Sequence, residues 1–193
     1  MNHFKILPII ALSLVFLSLK QDNTAPVAKI QWHSLQEAQE LMKKQPKKLF
    51  VDLYTDWCGW CKVMDRKTFT NDVVIELMNK YFYAVKFNAE KGEDFDFNGQ
   101  TFKLTNRGNG KYFHEWAGAY GSNNGRMSYP TTIYFTEGLD KIQAIPGYHD
   151  AHEMEKILEY LGGGYGYRGV TYQQFDSEYK SRVPKPKQKP KGH

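Results

Sequence analysis

The spacing of hydrophobic and polar residues predicts alternating helices and strands from residue 35 onward. Apolar residues at positions 35, 38, 41 and 42 recur at the helical period, and Ser34 with Glu37 matches a capping box. We therefore predict a helix over 35–45, ended by Pro46. The apolar and aromatic run 48–54 instead predicts a buried strand. The same criteria predict further helices over 58–67, 71–80, around 111–120, and 150–161, and further strands over 81–88, 131–136 and 141–145.

The segment 94–99, Asp-Phe-Asp-Phe-Asn-Gly, admits two interpretations. It matches the opening of an EF-hand calcium loop, but the twelfth position is Thr105, where a bidentate glutamate is required. A β-hairpin explains the same residues, with Phe95 and Phe97 on one face and Asn98-Gly99 as a two-residue turn. We therefore predict a hairpin.

The length and composition predict one domain with extensions. The chain has 193 residues, of which 41% are hydrophobic, enough for one core but short of two ordinary domains. We place the domain at 29–163 and a C-terminal extension at 164–182, with a short helix predicted over 171–181. The Pro-Lys repeats within 183–193 offer nothing to bury, so this tail is predicted to be disordered.

The N-terminal segment has the pattern of a signal peptide. Residues 6–19 form an uncharged apolar run of 14 residues between Lys5 and Lys20. A bilayer-spanning helix needs about 18–20 such residues, so a signal peptide over 1–22 is favoured over an uncleaved anchor. We therefore expect an exported protein.

Positive charge is concentrated at the C-terminus. The formal net charge is +5, but six basic residues fall in the last 14, and the rest of the chain has a net charge of −1. The body therefore has no basic field that would attract nucleic acid. We expect the basic tail to be solvated, with contact to anionic surfaces as the alternative.

The chain contains two cysteines, Cys58 and Cys61, separated by a glycine and a tryptophan. At the start of a predicted helix, unpaired backbone N–H groups and the helix dipole favour a thiolate on the first sulfur, and the second lies within bridging distance. Zinc would need two further ligands, and His149 and His152 belong to a distant element. We therefore expect a redox-active disulfide, with no metal and no other cofactor.

Two signatures resemble those of the thioredoxin superfamily. Residues 51–62, VDLYTDWCGWCK, resemble the thioredoxin active-site segment, and Tyr129-Pro-Thr131 resembles the second signature. With the continuation over 67–73, KTFTNDV, the chain resembles the periplasmic C-terminal domain of the disulfide reductase DsbD and stand-alone proteins of that type. The likeness covers about 30–162. It implies an α/β thioredoxin fold, with a central mixed β-sheet flanked by helices and a hairpin-containing insertion before the cis-proline strand.

The resemblance also implies catalytic roles. Cys58 corresponds to the nucleophile that forms a mixed disulfide, and Cys61 to the thiol that resolves it. Asp52 matches the family's buried acid, whose raised pKa lets it accept the proton of Cys61. Lys86 falls where thioredoxins place a lysine near that acid.

Substrate-binding positions are implied as well. Pro130 matches the cis-proline that packs against the disulfide and leaves the backbone of Tyr129 free to pair with an extended substrate. The implied substrate-binding residues are Trp57, Gly59, Trp60, Tyr129 and Pro130.

The resemblance implies a thiol-disulfide oxidoreductase that reduces disulfides in exported proteins, in the bacterial periplasm. Its partners would be protein thiols and disulfides, and its electrons would come from a membrane donor. A disulfide oxidase or isomerase is one alternative, and a non-redox binding or chaperone module is another. Two departures from the family leave the choice of partner open: Trp60 replaces a proline, and the segment 90–127 is longer than its counterpart.

Overall fold

The computed structural model describes residues 29–186. The predicted signal peptide and the last residues of the basic tail, 187–193, lie outside the described residues. No helix within 29–186 combines the length and hydropathy needed to cross a bilayer. The helices are α1 (Leu35–Lys44), α2 (Gly59–Lys67), α3 (Asp72–Tyr81), α4 (Glu115–Gly121), α5 (Ala151–Gly162) and α6 (Tyr172–Glu178). The strands are β1 (Trp32–His33), β2 (Lys48–Tyr54), β3 (Phe82–Asn88), β4 (Phe95–Phe97), β5 (Gln100–Phe102), β6 (Leu104–Gly108), β7 (Lys111–His114), β8 (Thr131–Phe135) and β9 (Lys141–Pro146).

Five strands form the central sheet, in the order β1-β3-β2-β8-β9. The first three strands in chain order run parallel to one another, whereas β8 is antiparallel to β2, and β9 is antiparallel to β8. The predicted mixed sheet flanked by helices is confirmed. The short edge strand β1 was not predicted, because two residues are too few to show a period.

The sheet separates two apolar cores. One contains residues of α1, α4 and the hairpin β4–β5, and the other contains residues of α2, α3 and α5. Side chains alternate along β2, so that Val51 belongs to the first core and Phe50 to the second. Asp52 follows the same alternation and therefore faces the layer that contains α2.

Local sequence signals set the helix boundaries. The amide of Glu37 donates to Ser34 Oγ over 3.1 Å, and the amide of Ser34 donates to Glu37 Oε2 over 2.8 Å, which completes the predicted capping box of α1. Asp150 and Glu153 form a second capping box at the start of α5. Helices α1 and α5 therefore each begin at a capping box formed by residues three positions apart in the sequence.

The insertion contains two hairpins, of which the sequence predicted one. Asn98 and Gly99 form the turn of β4–β5 with positive φ angles of 49° and 77°, and Phe95 and Phe97 are buried together, as predicted. The prediction of a helix around 111–120 is wrong over its first four residues, which pair as β7 with β6. Helix α4 begins only after this pairing ends.

The C-terminal extension folds back along α5 and is held by a buried carboxylate. Glu155 is fully buried, and it accepts hydrogen bonds from Tyr179 Oη at 3.0 Å, the amides of Arg182 at 2.8 Å and Val183 at 3.0 Å, and the Ser181 hydroxyl. Burial alone would raise the pKa of Glu155, but these four hydrogen bonds outweigh it and hold the pKa below its ordinary value. Val183 is buried, so the ordered extension reaches one residue into the predicted tail.

Replacing Glu155 by alanine is expected to loosen the extension. Glu155→Ala removes the buried acceptor that four donors of the extension share, which should lower the free energy of unfolding by about 2–4 kcal/mol and open 171–186 to proteolysis. Glu76→Ala is the control, because Glu76 is exposed and forms only an ion pair of 2.7 Å with Arg182. Equal losses in the two variants, measured by urea unfolding and limited proteolysis, would show that Glu155 does not hold the extension.

Candidate active site

The two cysteines form a disulfide at the N-terminus of α2. Cys58 is the N-cap residue, and its Sγ accepts the backbone N–H of Cys61 over 3.0 Å. The helix dipole and this hydrogen bond favour negative charge on Cys58 once the disulfide is reduced. Exposure does not distinguish the cysteines in the oxidised form, because they are 4% and 3% exposed. The two cysteines therefore differ in their position relative to the helix N-terminus and not in accessibility.

Asp52 is a fully buried carboxylate on β2. Its Oδ2 lies 3.0 Å from Lys86 Nζ, and Asp52 and Lys86 are register partners on the parallel strands β2 and β3. Neither carboxylate oxygen accepts a well-formed hydrogen bond from the described residues. Burial raises the pKa of Asp52 to about 6, although the charge of Lys86 opposes the shift. Asp52 therefore can hold or release a proton near neutral pH.

Lys86 links Asp52 to a second carboxylate that the sequence analysis missed. Its Nζ contacts Asp65, which is on α2 four residues after Cys61. Burial would lower the pKa of Lys86, but Asp52 and Asp65 together raise it, so Lys86 stays charged. Asp65 lies about one helical turn after Cys61, and this spacing was the sequence signal that could have indicated its place near the site.

Three aromatic rings lie near the ammonium group of Lys86. Its Nζ lies 5.2 Å from the ring centroids of Trp32 and Tyr54 and 5.5 Å from that of Phe69. Each ring can attract the ammonium group through its negative face. These contacts fix the cation beside Asp52 while leaving it partly open to water.

Two aromatic pairs lie beside the disulfide. Trp57 packs edge-to-face on Tyr129 with ring centroids 5.7 Å apart, and Trp60 packs on Tyr148 at 5.2 Å. The indole N–H of Trp57 is also shared between the two carboxylate oxygens of Glu90, at 3.1 and 3.0 Å. Tyr148 and Glu90 were not predicted, because no local spacing connects them with the cysteines.

The remaining predicted residues are Gly59, the first residue of α2, and Pro130, which lies near the end of β2 that leads to the disulfide. The Tyr129–Pro130 peptide bond is cis, and Pro130 immediately precedes β8, which pairs with β2 as far as Leu53. The Pro130 carbonyl accepts the amide of Gly147 over 2.8 Å. A Cβ added to Gly59 would meet no atom within 4 Å, so the space over the first turn of α2 is open.

His149 and His152 lie around the start of α5 and are engaged in packing. The His149 carbonyl accepts the Thr68 hydroxyl over 2.7 Å, and His152 Nδ1 lies 2.7 Å from the Val183 carbonyl. Within the part of the chain that the structure describes, no group of three or more His, Cys, Asp or Glu side chains is arranged to hold a metal ion.

Comparisons with the sequences of known proteins match the domain to one family and to several animal proteins. The family model described as "Thioredoxin-like domain" matches residues 35–162. Among curated proteins, the chain is 32% identical to spermatogenesis-associated protein 20 of Rattus norvegicus over 82 residues, which is 42% of this chain and 10% of that protein. The chain thus spans about a tenth of the length of the animal relatives that it matches.

A solved structure shares the fold of this chain. A thioredoxin from Thermus thermophilus superposes with a TM-score of 0.52 at 18% identity, over 72% of this chain and 93% of that chain. The DsbD C-terminal domain from Neisseria meningitidis, in the reduced form, gives a TM-score of 0.42 at 17% identity, over 67% of this chain and 97% of that chain. The similarity to the Thermus thermophilus protein shows that the two chains share the arrangement of helices and strands.

Proposed function

The chain belongs to the thioredoxin-like domain family, as its two signatures predicted, and from this premise we propose that it is a protein thiol-disulfide oxidoreductase of the reductase type. One observation carries the proposal: the Cys58–Cys61 disulfide caps α2 while the proton-holding acid Asp52 faces the layer of that helix. Nucleophile, resolving thiol and base are thus supplied by one strand and the helix that follows it.

The reaction proceeds in two exchanges. The Cys58 thiolate attacks a substrate disulfide, so that a mixed disulfide forms and one substrate sulfur leaves as a thiolate. Asp52 then takes the proton of Cys61, whose thiolate attacks Cys58 Sγ and expels the second substrate sulfur. The substrate gains two electrons and, after proton uptake, two thiols, while the Cys58–Cys61 disulfide forms again.

We expect a reducing midpoint potential, on the order of −220 to −270 mV, whereas strong oxidants of this type lie near about −120 mV. In the disulfide form Cys58 Sγ accepts one backbone hydrogen bond, which the thiolate would keep, and neither Gly59 nor Trp60 adds a positive charge. Asp56, two residues earlier, is ionised because Lys91 holds its pKa below the ordinary value, and the ion pair that the two form is neutral and adds no net positive charge that would stabilise the thiolate.

Equilibration with glutathione, followed by tryptophan fluorescence, measures this potential. A value near that of the strong oxidants would replace the reductase by the oxidase or isomerase. If the Cys58→Ser/Cys61→Ser variant keeps the cellular function, the non-redox binding module is the better assignment.

The cellular location of the protein and the source of its electrons are part of the same proposal. The signal-like segment 1–22 supports export, in bacteria to the periplasm, where a membrane donor would return electrons to Cys58 and Cys61. The basic residues after 183 would serve, at most, for contact with anionic surfaces. A fusion of 1–28 to a reporter that is active only after export tests the location directly.

A further inference from the structure

The two tryptophans of the redox motif are unusually exposed. Trp57 and Trp60 are 66% and 62% exposed, although large apolar side chains are generally buried in a soluble domain. The other two tryptophans of the chain are not exposed: Trp116 is fully buried and Trp32 half-buried. Exposed tryptophan is thus confined to the redox motif, which indicates a contact surface.

Trp60 differs from Trp57 in how it is held. The indole N–H of Trp57 is bound by Glu90, so this ring already has a polar partner. The indole N–H of Trp60 donates no hydrogen bond within residues 29–186, and its one aromatic neighbour there is Tyr148. The planes of the two rings are inclined by 40°, and the high exposure of Trp60 shows that much of its ring surface is free.

The position of Trp60 and Tyr148 determines which part of a substrate they can contact. Trp60 lies between the two cysteines, and Tyr148 follows Gly147, whose amide binds the Pro130 carbonyl. A mixed disulfide holds the substrate cysteine with its Cα within about 4.4–6.8 Å of the Cα of Cys58. Because consecutive Cα atoms are about 3.8 Å apart, the residue next to that cysteine lies close enough to the redox motif for its side chain to contact the rings.

We propose that Trp60 and Tyr148 form a specificity subsite that binds an aromatic side chain adjacent to the reacting cysteine of a polypeptide substrate. This inference rests on the proposed function and names the substrate class of the same site. Aromatic rings stack in offset or edge-to-face arrangements, and the exposed ring of Trp60 offers such a surface beside the half-buried ring of Tyr148. Neither ring carries a charge that would select a small anionic disulfide such as oxidised glutathione.

The test uses two disulfide-linked peptides that differ only by phenylalanine or serine next to the cysteine. We expect the native protein to reduce the phenylalanine peptide with a kcat/KM about tenfold higher, the upper range for one aromatic pair. In Trp60→Ala and in Tyr148→Ala the ratio should fall to about 1, and Trp60→Phe should restore most of it. Because each variant is judged by a ratio, a general loss of activity does not imitate the effect.

Tyr167→Ala is the matched control, since Tyr167 is 68% exposed but lies in the C-terminal extension, outside the site. It should retain the native ratio. A native protein that reduces both peptides equally, or alanine variants that keep the preference, would overturn the subsite. Failure to reduce either peptide or an activated small disulfide would instead count against the proposed function itself, and the two failures are therefore distinguishable.

Discussion

Replacing Cys61 by serine is expected to turn the protein into a trap for its substrates. Cys58 keeps its place at the N-terminus of α2 and still attacks, but no second thiol remains to resolve the mixed disulfide. Turnover of a disulfide substrate should fall about a thousandfold or more, the scale on which loss of one member of a covalent catalytic unit acts. Non-reducing gel electrophoresis followed by mass spectrometry should show proteins joined to Cys58.

Cys58→Ser is the matched variant for this experiment. It retains Cys61, which lies inside the first turn of α2 and lacks the position at the helix N-terminus. We expect equally low turnover but little trapping. Adducts on Cys58→Ser, with none on Cys61→Ser, would reverse the two assigned roles.

Asp52→Asn is expected to slow the second exchange selectively. An amide has no proton-accepting carboxylate, so release of the Cys61 proton should become about a hundredfold slower, in the range of general base catalysis. Formation of the mixed disulfide, which uses the Cys58 thiolate, should be nearly unchanged. In the native protein the resolution rate should rise as pH passes through about 6, because only ionised Asp52 accepts the proton. Stopped-flow measurements of both steps between pH 5 and pH 8 separate them.

The same substitution is expected to stabilise the protein at alkaline pH. The pKa of Asp52 is raised from 3.8 to about 6 on folding, so its protonated form is favoured in the folded state. This contribution is fully present below about pH 4 and is lost as pH rises through about 6. Ionisation of the buried group then costs about 3 kcal/mol at pH 8, which Asp52→Asn should recover in urea unfolding.

Asp56→Asn controls for the loss of one negative charge near the site. Asp56 is exposed and already paired with Lys91, and its carboxylate does not face the buried layer. Asp56→Asn should leave the resolution rate nearly unchanged. It should also leave nearly unchanged the difference in the free energy of unfolding between pH 4 and pH 8. If Asp52→Asn behaves in the same way, Asp52 has only a structural role.

Local signals in the sequence were sufficient for the elements that depend on neighbouring residues. The strand 48–54, the hairpin turn Asn98-Gly99 and the capping box at Ser34 each follow from a few consecutive residues, and all three are confirmed. The segment 111–114 was assigned wrongly because its pairing partner, 104–108, acts through hydrogen bonds between strands, which no helical or strand period in 111–120 reveals.

In the candidate site, too, local sequence indicated some features and the tertiary structure decided the others. The cysteine spacing and its place at a helix start determined the redox chemistry, since both lie within one turn of α2. The pKa of Asp52, the link from Lys86 to Asp65 and the packing of Trp60 on Tyr148 were decided by the tertiary structure. Each depends on burial or on contacts between residues that are distant in the chain. A free energy of desolvation or of ring packing arises only when the sheet and helices bring those groups together.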